Sequence, residues 1–178
     1  MSNHPPAANQ EAAPAFKTTR ASMRDGVELA IDYLVVSETG RFPAIVELTP
    51  YGRGIAAPNF RNEATYWREH GYAFVIADCR GTGDSQGEMV FFALEGKDGH
   101  GLIEWIARQP WSNGRVAMRG SSYSGTNQWF TAREQPPHLS CITPSATLWR
   151  PMQDVSIFIL LKSLMLMWFT QQNINNQW

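Results

Sequence analysis

The residues best suited to chemistry lie in the stretch "RVAMRGSSYSGTNQW", residues 115–129, where Ser121, Ser122 and Ser124 sit between Gly120 and Gly125. A serine acts as an acyl-transfer nucleophile when a sharp strand-to-helix turn exposes its hydroxyl. Small residues two before and two after it let the chain fold that tightly. The N–H of the next residue then faces the developing oxyanion, and the helix N-terminus adds a favourable dipole. Ser122 fits, with Gly120 two places before it and Ser124 two places after. Ser121 would put the bulky Arg119 at the cramped position, and Ser124 already falls inside the expected helix. The fifth residue of the motif is Ser124 where glycine is usual, with Gly125 one place later. On local pattern two readings stand together: Ser122 as nucleophile, or Ser122 as the N-cap of a Gly/Ser turn.

Either reading needs a strand before the turn and a helix after it. "GRVAMRG" (114–120) reads as a short strand and "SYSGTNQWFTARE" (122–134) as the helix leaving it. Upstream, "FKTTRASMRDGVELAIDYLVV" (16–36) has two alternating runs meeting at Asp25-Gly26, which predicts a β-hairpin. "FPAIVELTP" (42–50) and "YAFVIADCRG" (72–81) are apolar runs expected of strands covered on both faces. Between them "NEATYWREHG" (62–71) predicts a helix with Asn62 as N-cap and Gly71 just past its end. "GKDGHGLIEWIARQP" (96–110) predicts a helix ended by Pro110, and "LSCITPSATL" (139–148) a fourth buried strand. A hairpin followed by alternating strands and helices predicts an α/β fold with a mainly parallel sheet.

Composition narrows the function. With 178 residues and 43% hydrophobic content, the chain can bury a sizeable core. A net charge of −1 gives no basic field for nucleic acid or an anionic membrane. Cys79 and Cys141 make neither a disulfide framework nor a metal cluster. Residues 1–15 are polar and rich in Pro and Ala, which predicts a disordered tail without a secretory signal and a cytoplasmic protein. The apolar run at 157–169 contains Lys162 and is shorter than the roughly 20 residues of a membrane span. It is expected to be a buried or partner-facing helix.

The elbow segment, with Gly120, Ser122, Tyr123 and Gly125 filling G-x-S-Y-x-G, resembles the X-Pro dipeptidyl-peptidase and cocaine esterase family of α/β-hydrolases. The resemblance runs collinearly over roughly residues 20–150. "MRDGVELAIDYLV" is similar to the family's opening hairpin and "FPAIVELTPYGR" to its strand leading to a Pro-Tyr pair. "DCRGTGDSQGE" and "DGHGLIEWIARQPWSNGRVAM" are similar to the segments that follow. The resemblance implies an α/β-hydrolase fold, no cofactor and no metal. It also implies an acyl-forming Ser122, with an oxyanion hole made by the Tyr123 backbone N–H and the Tyr51 hydroxyl. Without it, Tyr51 reads as a surface tyrosine in a Pro-Tyr-Gly turn.

The other segments support blander readings. The glycines at 81, 83 and 87 are spaced one residue too long for a dinucleotide loop, and Asp78, Arg80 and Asp84 are expected in local ion pairs. His4 falls in the tail, His70 at a helix C-terminus, His100 in the first turn of a helix and His138 in a loop. In α/β-hydrolases the triad runs Ser, then Asp or Glu, then His. After Ser122 this chain has one histidine, His138, and one aspartate, Asp154, which stand in the reverse order, so the acid and base are unassigned and are expected to be absent from these residues. Residues 151–178 resemble the start of a helical cap, and the sheet is expected to be incomplete at its C-terminal side. Two functions are compatible with these residues. One is a serine hydrolase acting on a small ester, amide or short peptide through a Ser122 acyl-enzyme. The other is a non-catalytic fragment or partner-dependent remnant. The acyl group and the oligomeric state stay open.

Overall fold

In the computed structural model, residues 16–53 and 57–147 are described, together with the helical residues 163, 164 and 167. The expected tail at 1–15, and nearly all of the expected helical segment from 151, lie outside the described residues. The chain divides into two compact units, Met1–Thr147 and Leu148–Trp178, and the first holds the whole sheet.

Among the described residues of that unit, nine elements run in chain order: β1 (Lys17–Ser22), β2 (Glu28–Leu34), β3 (Phe42–Thr49), α1 (Ala57–Glu69), β4 (Ala73–Asp78), α2 (Glu95–Ala107), β5 (Ser112–Ser121), α3 (Tyr123–Arg133) and β6 (Leu139–Ser145). Their sheet has the order β1-β2-β4-β3-β5-β6. The β1–β2 and β2–β4 pairings are antiparallel, and the β4–β3, β3–β5 and β5–β6 pairings are parallel. The expected hairpin is present. At its turn the Asp25 carboxylate accepts the Val27 N–H at 3.2 Å, and Met23 N–H donates to the Val27 carbonyl at 2.8 Å.

β3 and β4 are buried along nearly their whole length, as their unbroken apolar runs predict. On one face, Ile45, Phe74 and Ile76 form a core with Leu34 and Ala64, and Phe60 and Trp67 pack against it. α2 and α3 pack on each other and on β5, and Leu102, Ile103 and Ile106 of α2 are fully buried. Burial of each such side chain is worth about 1.5–3 kcal/mol.

Three expectations need correction. α1 begins at Ala57, so Asn62 lies inside the helix and does not cap it. Pro58, its second residue, has no N–H to leave unpaired in the first turn, and so extends the helix upstream. The C-terminal end is as expected: Gly71 has φ +84° and Tyr72 N–H donates to the Trp67 carbonyl at 2.9 Å, closing a Schellman turn. β6 is not a buried strand, since none of its residues is fully buried. Among the described residues it stands last in the sheet and pairs with β5 alone, so its apolar content does not translate into coverage. His100 sits in the second turn of α2, not the first. It is half-buried, and its Nδ1 has no hydrogen-bond partner among the described residues.

The glycines of α2 look like a poor choice, since each costs about 1 kcal/mol against alanine in a helix interior. At Gly99 the reason is proximity: a Cβ there would lie 1.9 Å from Thr131 Oγ1 of α3. Gly99→Val is therefore expected to force α2 from α3 and lower stability by about 1–3 kcal/mol, measured by denaturant unfolding. A change below ~0.5 kcal/mol would show the contact to be loose.

Candidate active site

β5 ends at Ser121 and α3 begins at Tyr123, leaving Ser122 alone at the turn with φ 58° and ψ −118°. For a residue with a Cβ this conformation costs on the order of 1–3 kcal/mol, and it persists only where the surroundings impose it. The backbone of Ser122 is fully engaged. Its N–H donates to the Ser145 carbonyl at 3.1 Å, and its own carbonyl accepts from Gly125 N–H at 3.1 Å and Thr126 N–H at 2.9 Å. Its side chain makes no capping hydrogen bond, so the N-cap reading of this hydroxyl fails, and Ser122 is exposed. The small flanking residues are required by space. A Cβ on Gly120 would lie 2.6 Å from Ser124 Cβ, and one on Gly125 would lie 2.6 Å from the Ser145 carbonyl. The glycine missing from the usual fifth position is thus needed one place later, where α3 crosses the end of β6.

Two side chains of α3 fasten this turn to neighbouring strands. Gln128 is fully buried; its Nε2 donates to the carbonyls of Ser124 at 3.0 Å and Gly120 at 3.3 Å, while its Oε1 accepts from Thr143 N–H of β6 at 2.9 Å. Asn127 Nδ2 donates to the Leu48 carbonyl of β3 at 2.7 Å. That bond ties the elbow to the strand whose end carries Tyr51. There the Tyr123 backbone N–H donates to the Tyr51 hydroxyl at 3.1 Å. Tyr51 and Tyr123, the two residues that the family resemblance pairs, are thus brought into direct contact beside Ser122.

The model of the X-Pro dipeptidyl-peptidase (S15) family matches residues 25–159, most of the chain. The chain belongs to this family. It is 36% identical over 126 residues to cocaine esterase from Rhodococcus, covering 69% of this chain and 22% of that protein. It is 33% identical over 164 residues to a putative serine esterase from Mycobacterium bovis, covering 79% and 26% respectively. Among solved structures, a CocE/NonD family hydrolase from Staphylococcus aureus superposes with a TM-score of 0.65 at 28% identity, covering 74% of this chain and 27% of that one. The α/β-hydrolase fold and the family are thereby established. The chain spans about a quarter of the length of the curated relatives it matches.

In this S15 chain Tyr51 is held by its neighbours in sequence. Its N–H donates to Thr49 Oγ1 at 3.1 Å. Two residues on, Arg53 is buried among three carboxylates: Asp78 at 2.9 Å, Asp32 at 2.6 Å and Asp84 at 2.5 Å. Asp78, itself buried, also accepts the Arg53 and Asp84 backbone N–H groups at 2.7 and 3.1 Å. Burial raises the Asp78 carboxyl pKa, and these donors and the Arg53 charge pull against it. Arg80 pairs with Asp98 at 2.7 Å and Asp25 at 2.8 Å. Asp78, Arg80 and Asp84 are all ion-paired as expected, but with partners outside their own segment, Arg53, Asp98 and Asp25, and not locally. Arg53 and Asp32 were missed, because the motif around residues 78–88 gave no hint that a residue near Tyr51 reaches into it.

A second missed group lies behind the elbow. The Tyr123 ring is buried, stacked on Phe92 with centroids 4.5 Å apart, and its hydroxyl makes a short hydrogen bond to Glu95 at the start of α2. Burial pushes the Glu95 carboxyl upward, against the Tyr123 hydroxyl bond. Burial and the Glu95 charge push the Tyr123 phenol well above its usual range. Nothing in the sequence marked Glu95 beyond its place before a helix of uncertain start.

Among the described residues no histidine hydrogen-bonds to Ser122. His138 Nδ1 lies 2.9 Å from Glu104 Oε2, and His70 Nδ1 lies 2.7 Å from the Tyr66 carbonyl at the end of α1. Asp154 and His4 lie outside the described residues. Among the described residues no side chain hydrogen-bonds to the Ser122 hydroxyl. No helix among them is long and apolar enough to cross a membrane.

The buried Glu95 gives a pH test. Its folded pKa is raised, so it supports the fold below the carboxyl's unfolded pKa, and that support is lost as pH rises through the folded value. Glu95→Gln, which stays neutral, is expected to gain stability relative to the parent as pH rises from 4 to 8. Denaturant unfolding at both ends of that range measures it. A pH-independent difference would mean that Glu95 is ionised in the fold as readily as in the unfolded chain.

Proposed function

We propose that this chain carries the nucleophile and oxyanion hole of a serine hydrolase that cleaves an ester or amide through a Ser122 acyl-enzyme. The reading rests on one observation above the rest: the Tyr123 N–H meets the Tyr51 hydroxyl at 3.1 Å beside a serine held at φ 58°. Ser122 Oγ attacks the substrate carbonyl, and its proton passes to a general base. The carbonyl oxygen, now negative, displaces the Tyr51–Tyr123 hydrogen bond and takes both donors. Collapse of the tetrahedral species breaks the bond to the alcohol or amine, which leaves with the proton held by the base. Water, deprotonated in turn, attacks the acyl-enzyme, releases the acid and returns the proton to Ser122 Oγ. Preorganised donors of this kind are typically worth 10²–10³-fold in rate. The similarity to esterases and to the X-Pro dipeptidyl-peptidase family supports a small ester, an amide or a short peptide as substrate, and no cofactor enters the scheme.

A second reading has its own observation: the single histidine after Ser122, His138, is paired with Glu104 and not with Ser122. On that reading this chain holds the elbow and the oxyanion hole but no base of its own, and acts only with residues supplied by another polypeptide segment.

A fluorophosphonate probe, with the adduct read by intact mass, separates the two. The first reading expects one adduct on Ser122, absent from Ser122→Ala and formed about 100-fold more slowly in Tyr51→Phe. No adduct on a chain shown to be folded supports the second reading. An adduct that survives Ser122→Ala would remove Ser122 from the nucleophile role altogether.

A further inference from the structure

Glu95 lies outside the groups that would touch substrate, yet it is the hydrogen-bond partner of the residue that follows the elbow serine. It is 7% exposed, and it reaches the Tyr123 hydroxyl from the first residue of α2. Its other oxygen accepts the Leu94 N–H at 3.1 Å, which fixes the carboxylate itself. The Tyr123 hydroxyl also lies 3.4 Å from the Phe92 N–H, and the ring is clamped by Phe92 in a stack and by Phe91 edge-on. Tyr123 is thus held at the far end of its side chain, while its backbone N–H faces the Tyr51 hydroxyl at the near end.

The peptide between Ser122 and Tyr123 is where this matters. Its orientation is set by ψ of Ser122, and Ser122 is in a conformation that relaxes unless its neighbours prevent it. Rotation of Ser122 toward an ordinary conformation would swing the Tyr123 N–H from Tyr51 and drag the Tyr123 ring with it. The ring cannot follow while its hydroxyl is held by Glu95, both side chains being buried. We propose that Glu95 is a positioning residue for the oxyanion hole, holding the Tyr123 N–H on the point it shares with the Tyr51 hydroxyl. The inference rests on the reading of these two groups as oxyanion donors.

Glutamine at this position keeps an acceptor for the Tyr123 hydroxyl, whereas alanine removes it. Hydrogen exchange of individual amides in the isotope-labelled full chain reads the position of the Tyr123 N–H without any need for turnover. In Glu95→Ala, exchange at Tyr123 is expected to rise tenfold or more, while Asn127, Gln128 and Thr131 of the same helix change less than twofold. Glu95→Gln should restore the parent rate at Tyr123 to within about twofold. Should Glu95→Ala not fold, Tyr123→Phe removes the same hydrogen bond from the other side and should loosen the residue-123 amide alike. Tyr51→Phe is the separate control: it removes the acceptor of the Tyr123 N–H and should speed its exchange whatever Glu95 does. If Tyr51→Phe leaves that amide unmoved, the convergence of the two donors is wrong. If Tyr51→Phe moves it and neither Glu95→Ala nor Tyr123→Phe does, the positioning role alone is overturned. Uniform acceleration along α3 without rescue by glutamine would also overturn it, because Glu95 would then be a packing residue only.

Discussion

A serine at φ 58° is the constraint on which the rest of the unit turns. Left to itself the residue would relax, so the surroundings must hold every atom around it. They do so from several directions. β6 takes the Ser122 N–H, α3 takes its carbonyl, Gln128 grips Gly120 and Ser124, and Asn127 reaches across to β3. Gly120 and Gly125 leave no room for a side chain because the backbone needs that space. The sheet order, with β5 between β3 and β6, is what allows one turn to be fastened to strands on both sides.

Charge supports the same arrangement. Arg53, with its three carboxylates, fixes the loop that follows Tyr51. Arg119, one residue before Gly120, donates to Glu47 of β3 at 2.7 Å and to Glu63 of α1 at 2.6 Å. Burial raises the Glu47 carboxyl, with Arg119 pulling against it. Partly buried pairs like these add little net stability beyond what apolar residues would give, and removing one partner leaves the other stranded. Their effect is directional: they allow one placement of the strand ends and penalise the rest.

Much of this was legible from sequence, and for identifiable reasons. The β3 and β4 runs, the Asp25-Gly26 turn, the Gly71 helix end and the elbow at Ser122 are local patterns, each written within a few residues. The misses are of another kind. Asn62 reads as a cap only if the helix starts near it, and Pro58 moved that start. β6 has the apolar content of a buried strand, but it stands last in the described sheet, and α3 and β5 leave its residues incompletely covered. Glu95, Gln128 and Arg53 act through partners 28, 15 and 25 residues away, and no local pattern records such a distance. Tyr51 stood between the two groups: its turn was local, but its place beside Tyr123, 72 residues later, came from the family resemblance.

That separation of 72 residues has a kinetic side. The hairpin, α1 and α2 can form from contacts close in sequence, whereas Tyr51 meets Tyr123, and Arg119 meets Glu47, only after a loop of that length has closed. Non-local parallel pairing is slow, since the entropy of closure is lost before any contact compensates for it. The pairing of β3 with β5 requires that closure, and the bonds that hold the strained serine turn to β3 and Tyr51 depend on it. Whatever reactivity the elbow confers therefore costs chain-closure entropy: it belongs to the closed sheet and not to the short segment in which the motif is written.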